Sequence, residues 1–215
     1  MRSTVRVHVT INGPLHTKRP NGKPVEIPHH AGVMGSGVVI EARGGLLEPE
    51  GSTILTASHV LETPAIGEEL PLPNGDKIVV ESVEMEIDTY AGKKCSLTPV
   101  AMGVTDERDV ATAYANCDAG PAARIGDRVP PVGAKVLVTG HPSGHATVIV
   151  TEGYVSGWNN GYLITSAPIY PGNSGGALWY EGKIVGVMVR VSEEYIHISL
   201  SVPLKEVHER VKDTP

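Results

Sequence analysis

The sequence predicts an all-β chain of short strands, a barrel or a sandwich. Glycine and proline number 25 and 17, which supplies turns throughout. Valine and threonine are abundant and favour strands over long helices. Apolar and alternating runs recur at short, even spacing with turn signals between them. Phenylalanine is absent, and tryptophan and tyrosine number two and seven, so the core must be built from Val, Ile, Leu, Ala and Met.

The elements follow in order. Val5, Val7, Val9 and Ile11 alternate with Arg6, His8 and Thr10, the period of a half-buried strand. Asn12–Pro28 is rich in Pro, Gly and charge and reads as a connecting arm. A buried strand begins at Gly35–Ile40, Gly44 and Gly45 turn it, and Ser52–Thr56 returns. Strands are expected at Lys77–Val83 and Val110–Tyr114, separated by turns at Pro71, Pro73 and Pro99. The polar stretch Asp118–Pro131 reads as a linker between halves of similar size. Strands then follow at Lys135–Thr139, Thr147–Trp158, Tyr162–Ser166, Gly176–Tyr180, Lys183–Val191 and Ile196–Val202. Pro203 with Leu204, Val207 and Val211 reads as a closing helix.

Composition narrows the function. A 40% apolar, 20% charged chain of 215 residues is globular with a core to bury. A net charge of −6 disfavours nucleic acid as a partner, because that requires a basic face. The start, Met1–His8, has no apolar signal core, and no run is long enough to span a membrane. A cytoplasmic location and no membrane partner are therefore expected. Cys95 and Cys117 do not make a disulfide framework. Two free thiols in a reducing compartment is the favoured reading, with a bridge left open.

One stretch calls for chemistry: Gly172-Asn173-Ser174-Gly175-Gly176. Glycine before the serine lets the backbone turn and aim two N–H groups at one point, and glycine after it keeps the space clear. A nucleophile with an oxyanion hole needs both. Taken alone the segment is equally a glycine-rich hairpin turn. A serine hydroxyl also needs an imidazole base, and the imidazole a carboxylate. His59, in Leu55-Thr56-Ala57-Ser58-His59-Val60, sits at the end of an apolar strand beside small residues. Asp109 opens the apolar run Val110–Tyr114, where an unpartnered carboxylate would be costly. Each has a plain alternative, a semi-buried histidine and a strand-end cap, with Asp106 as the other carboxylate.

Together these pieces resemble the chymotrypsin-like serine proteases, more closely their HtrA-type bacterial branch. The resemblance rests on Gly35-Ser36-Gly37, Thr56-Ala57-Ser58-His59, Asp109-Val110-Ala111 and Gly172–Gly176, in the order His, Asp, Ser. Gly140-His141-Pro142-Ser143-Gly144 is similar to the family's Gly-Asn-Pro-Phe-Gly turn, and Thr151–Ser156 to its Thr-x-Gly-Ile-Val-Ser strand. Ile169-Tyr170-Pro171 and Leu200–Pro203 also resemble family segments, so the likeness runs from about Gly35 to Val211. It implies two six-stranded antiparallel β-barrels with the site between them. It implies His59 as general base and then acid, Asp109 as its orienting carboxylate and Ser174 as nucleophile. The amides of Gly172 and Ser174 would form the oxyanion hole. The organisation expected is an N-terminal strand and arm over 1–32, a first barrel over 33–120, a second over 121–202 and a helix over 203–215.

The departures shape the expectation. Val60 stands where digestive members carry cysteine, and Asn173 where they carry the aspartate that pairs with a new N-terminus. No Ile-Val-Gly-Gly start exists, so activation is expected not to use that ion pair. HtrA-type members usually carry a PDZ domain after the helix; this sequence stops there, so PDZ regulation is not expected. His141 and Ser143 replace Asn and Phe in the family's turn. The pocket for the residue before the cut is expected from Ala167, Pro168, Ile169, Met188, Val189 and Val191, which are apolar and favour a small or medium aliphatic residue. Arg190 facing inward would instead favour an acid, since alternation without a register does not fix the face.

No cofactor and no metal are expected. His29-His30 and His141-x3-His145 lack a matching Cys or carboxylate cluster, and Pro142 and Gly144 break the second pair. The partner is a protein or peptide substrate, with homo-oligomerisation left open. Gly172–Gly176 also fits the α/β-hydrolase elbow, but that fold needs a helix after the serine and a downstream histidine. Here a strand follows and the histidine is upstream. The remaining rival is a protease-like fold used as a non-catalytic scaffold.

Overall fold

Three hairpins of the first half close on one kind of turn. In Arg19–Lys23, Leu72–Asp76 and Thr89–Lys93 the first residue's amide donates to the last residue's carbonyl, at 2.9, 2.8 and 2.9 Å. The fourth position is Gly22, Gly75 or Gly92, with φ of +78°, +86° and +79°, a region that glycine enters without steric cost. The turns are Arg-Pro-Asn-Gly-Lys, Leu-Pro-Asn-Gly-Asp and Thr-Tyr-Ala-Gly-Lys.

The computed structural model describes residues 1–45, 48–103, 109–191 and 198–203. Its first half contains β1 (Thr4–Lys18), β2 (Pro24–Gly45), β3 (Glu48–Thr56), β4 (Glu69–Pro71), β5 (Lys77–Val79), β6 (Ser82–Asp88), β7 (Lys94–Met102) and β8 (Ala111–Ala115). Six of them close in the order β2-β3-β8-β7-β6-β1, with β1 pairing back to β2, and the β4–β5 hairpin pairs with β1. The second half holds β9 (Lys135–Gly140), β10 (Ile149–Asn159), β11 (Tyr162–Thr165), β12 (Ala177–Tyr180), β13 (Lys183–Val191) and β14 (Ser199–Pro203). They close in the order β10-β11-β14-β13-β12-β9. The fold is the expected pair of six-stranded antiparallel β-barrels. The expected closing helix lies outside the described residues.

Alternation sets which side chains fill each barrel. Along β1, Val5, Val7 and Val9 are at most 1% exposed. They pack with Val38, Ile54, Leu55, Ile87, Val110 and Ala113 in a core that continues into Ala177, Ile184, Val187 and Val202 of the second barrel. The second barrel has its own core of Val136, Val138, Val155, Leu163, Leu178, Val185 and Met188. Between the barrels, Ile125 bridges to Ile184, and the amides of Ala123 and Gly126 donate to Val39 and Ile184.

The strand expected at Lys77–Val83 divides into β5 and the start of β6, and three further expectations need correction. Asn12–Pro28 is not a connecting arm. It is the distal part of a hairpin that pairs in register from Thr4↔Val38 to Lys18↔Pro24. Gly13 is needed there because a Cβ would fall 1.8 Å from the Val79 carbonyl oxygen of β5. Pro99 does not end a strand: it sits inside β7, at an irregularity between Pro99 and Ala101, where a missing N–H is tolerated. Cys95 and Cys117 are bridged, not free. The β7–β8 register pairs Leu97 with Ala115, which brings the two cysteines opposite one another with Cα atoms 6.1 Å apart.

Candidate active site

The imidazole and its carboxylate both come from the first barrel. After Thr56 the chain turns through Ala57 into one short helix, α1 (Ser58–Leu61), where a strand end was expected. Val60 and Leu61 are buried beneath it, and Ser58 Oγ accepts the Gly103 amide at 2.9 Å. This leaves the His59 side chain 39% exposed and the Asp109 side chain 10% exposed. His59 Nδ1 lies 2.6 Å from Asp109 Oδ2, and the His59 backbone N–H donates to Asp109 Oδ1 at 3.0 Å. Both carboxylate oxygens therefore hold the same residue. Burial pushes the Asp109 carboxyl pKa up. The bonds from the His59 ring and amide, with the nearby His59 and Arg190 charges, more than reverse this and hold it below the ordinary value. An ionised Asp109 fixes the proton on Nδ1 and leaves Nε2 as the lone-pair nitrogen.

The serine comes from the loop before β12. Gly172 has φ of +96° and Gly175 +82°. A Cβ on Gly175 would lie 2.0 Å from the Ser36 carbonyl oxygen and 3.0 Å from the Ala57 amide nitrogen. The serine loop thus packs against β2 and against the turn that leads to His59. The Ser174 hydroxyl donates to the Val189 carbonyl at 3.4 Å. Among the described residues that is its partner in this resting arrangement; such bonds commonly tighten only when substrate is present.

The loop's backbone is asymmetric. The carbonyls from Tyr170 to Ser174 all accept hydrogen bonds. Tyr170 takes the Asn173 amide, Pro171 the Ser143 amide at 2.6 Å, Asn173 the Gly176 amide and Ser174 the Ser36 amide at 2.7 Å. The Gly172 carbonyl takes the Ser36 hydroxyl at 2.7 Å. Among the described residues the amides of Gly172 and Ser174 donate to no protein acceptor. Ser36 is fully buried, and its Oγ also accepts the His141 amide at 2.8 Å. Sequence reasoning gave Ser36 no role. A hydroxyl between two glycines in a buried strand was the available signal, because such a group needs partners.

The residues expected around the substrate pocket divide. Ala167, Ile169 and Met188 are buried in the second-barrel core, and Val189 packs in the first. Pro168 is half-buried and Val191 is 40% exposed. Arg190 is exposed, and its guanidinium lies 5.6 Å from the centre of the Tyr162 ring. Of the histidines weighed as ligands, His141 Nδ1 donates to the His145 carbonyl at 2.8 Å, and His30 Nδ1 lies 2.6 Å from Asn12 Oδ1.

Comparisons with known proteins bear on the family and the fold. A family model described as a trypsin-like peptidase domain matches residues 35–187. Among solved structures, the crystal structure of the serine endoprotease from Yersinia pestis is similar, with a TM-score of 0.64 and 23% identity. The match covers 98% of this chain and 62% of that one, and at this identity it shows the shared fold. No curated protein sequence matches.

Proposed function

Because the chain belongs to the trypsin-like peptidase family, we propose that it is a serine endopeptidase acting through Ser174, His59 and Asp109. The observation that carries the reading is the two-point grip of Asp109 on His59, through Nδ1 and the backbone amide. A carboxylate that only capped a strand would have no reason to fix an exposed imidazole in one tautomer.

Each group then has a step. The Ser174 hydroxyl turns from the Val189 carbonyl, gives its proton to His59 Nε2 and attacks the peptide carbonyl. Negative charge develops on the carbonyl oxygen, where the unclaimed Gly172 and Ser174 amides stabilise it. The imidazolium, balanced by Asp109, protonates the leaving amine, which departs and leaves an acyl-serine. Water, deprotonated by His59, attacks the ester and frees Ser174. Substrates are proteins or peptides. Of the apolar set Ala167, Pro168, Ile169, Met188, Val189 and Val191, Pro168 and Val191 reach the surface above the buried others, and this apolar lining favours a small or medium aliphatic residue before the cut.

Residues 121–202 form the unit carrying the nucleophile. Residues 33–120, with the hairpin strands before them, form the unit carrying the base. Among the described residues no helix is long and apolar enough to cross a membrane. The Cys95–Cys117 bridge counts against the cytoplasmic location that free thiols would fit, and favours an oxidising compartment.

A fluorophosphonate probe tests the proposal. Labelling of the wild type and none of Ser174→Ala is the expected result. Equal labelling of the two, or none of either during incubation with a peptide library, would return the chain to the scaffold reading. The Ser174–Val189 bond is the observation that favours that rival.

A further inference from the structure

Arg6 lies far in sequence from every residue given a role above, yet it reaches across to the second barrel. It stands on β1 opposite Asp88 of β6. Its Nε donates to Asp88 Oδ2 at 3.0 Å, and one terminal nitrogen bonds the same oxygen. The other terminal nitrogen donates to the Gly144 carbonyl at 2.7 Å. His8 Nε2 lies 2.8 Å from the shared carboxylate oxygen. Both Arg6 and Asp88 are largely buried, with side chains 20% and 16% exposed. Burial pushes the Asp88 carboxyl pKa up, but the bonds from Arg6 and His8 outweigh it and hold it below the ordinary value. The pair is therefore ionised, and its planar fork is aimed.

The aim falls on the tight turn Pro142–Gly144, where Ser143 has φ of +53°. A non-glycine residue there needs surrounding contacts to hold it. The turn lies directly against the oxyanion loop. A Cβ on Gly172 would fall 2.6 Å from the His141 carbonyl oxygen and 3.0 Å from the Ser143 amide nitrogen. That Ser143 amide donates to the Pro171 carbonyl. The Pro171–Gly172 peptide is trans, so its N–H points opposite to its C=O. Whatever holds the Pro171 carbonyl thereby sets the direction of the Gly172 N–H.

We propose that Arg6 and Asp88 are positioning residues for the oxyanion hole, acting through the Gly144 carbonyl, the Ser143 amide and the Pro171 carbonyl. The inference rests on the peptidase reading for its catalytic meaning, but not for its structural one. Asn173 stands where digestive relatives use an internal ion pair to order this loop. Here a guanidinium on the N-terminal strand would supply the order from the first barrel.

Arg6→Ala and the milder Asp88→Asn test it in the full chain. The expected result is a fall of about 10- to 100-fold in kcat per fluorophosphonate-titrated site, with KM within about twofold. Inhibition by a peptide aldehyde, whose adduct needs the oxyanion donors, should weaken by the same factor. Arg6→Lys should lie between, because an ammonium cannot hold the carboxylate and the Gly144 carbonyl with the same fork. Amide exchange at Ser143 should quicken in Arg6→Ala. A purely structural pair would lower the number of titratable sites and leave kcat per site within twofold of wild type, and that result overturns the proposal. If the wild type shows no Ser174-dependent labelling, the peptidase reading fails. Unchanged Ser143 exchange then overturns the positioning role too, and quickened exchange upholds it as loop ordering.

Discussion

The two halves of the site are built by different means. The His59–Asp109 half uses side chains, and both its members and their support from Ser58 and Gly103 belong to the first barrel. The Gly172–Ser174 half uses backbone, and much of its support is borrowed. Two of its carbonyls are held by Ser36, a first-barrel residue, and one by a turn that Arg6 touches. The hydrogen bonds of the base are thus a local product of one barrel, with the Arg190 charge added from the second, whereas the oxyanion loop depends on both barrels being closed and in contact. Damage to the first barrel can disable the second barrel's chemistry without touching Ser174.

Substitutions can break this contrast at graded cost. Ser174→Ala should reduce kcat by about 10⁶ in a peptide-hydrolysis assay, the scale of losing a nucleophile. Asp109→Asn should cost about 10⁴ with the fold retained. If Asp106→Asn did that and Asp109→Asn did not, the self-contained base would be wrongly assigned. Ser36→Ala removes one buried hydroxyl that holds the Gly172 carbonyl and takes the His141 amide. It should lower kcat about tenfold, because it leaves the donors present but less well held. It should also lower stability in a denaturant titration by about 1–3 kcal/mol. An unchanged kcat per titrated site would mean the loop does not depend on the first barrel.

Two smaller effects sharpen the same contrast through stability. Cys95→Ser with Cys117→Ser should cost about 3 kcal/mol in denaturant, from opening a 22-residue separation, and leave kcat per titrated site unchanged. The pH effect comes from Asp109, whose folded pKa is depressed. Its stabilising contribution is present above the unfolded value of about 3.9 and is lost as pH falls through the lower folded value. The stability gap between wild type and Asp109→Asn should therefore narrow below about pH 4, measured by thermal unfolding at stepped pH.

The second barrel was read from sequence almost strand by strand, because Lys135–Thr139, Tyr162–Ser166 and Lys183–Val191 are apolar runs between clear turns. His59 and Asp109 stand out in the sequence as polar groups at the ends of apolar runs, and Ser174 stands out through the glycines that box it. Other parts were hidden by competing signals. Pro14 and Gly13 masked the outer half of β1, where tertiary pairing on two sides outweighs low strand propensity. Pro-Asn-Gly at 20–22 was the turn signal that would have revealed the hairpin. Pro99 masked β7 in the same way. Arg6–Asp88 and Cys95–Cys117 depend on cross-strand register, which periodicity alone does not supply. Ser36 was visible as a motif, yet three of its hydrogen bonds reach residues more than a hundred positions away.

β1 is a stave of the first barrel, paired along one side with β2 and along the other with β6. The trypsin-like match begins at residue 35 and so omits it. A chain trimmed to that boundary would keep every proposed triad residue and still lose the closure of the barrel. The exposed edges of β2 and β6 would then be free to pair with other chains. Recombinant material cut at the recognised boundary should clump rather than merely lose activity, which light scattering of the trimmed and full chains would show.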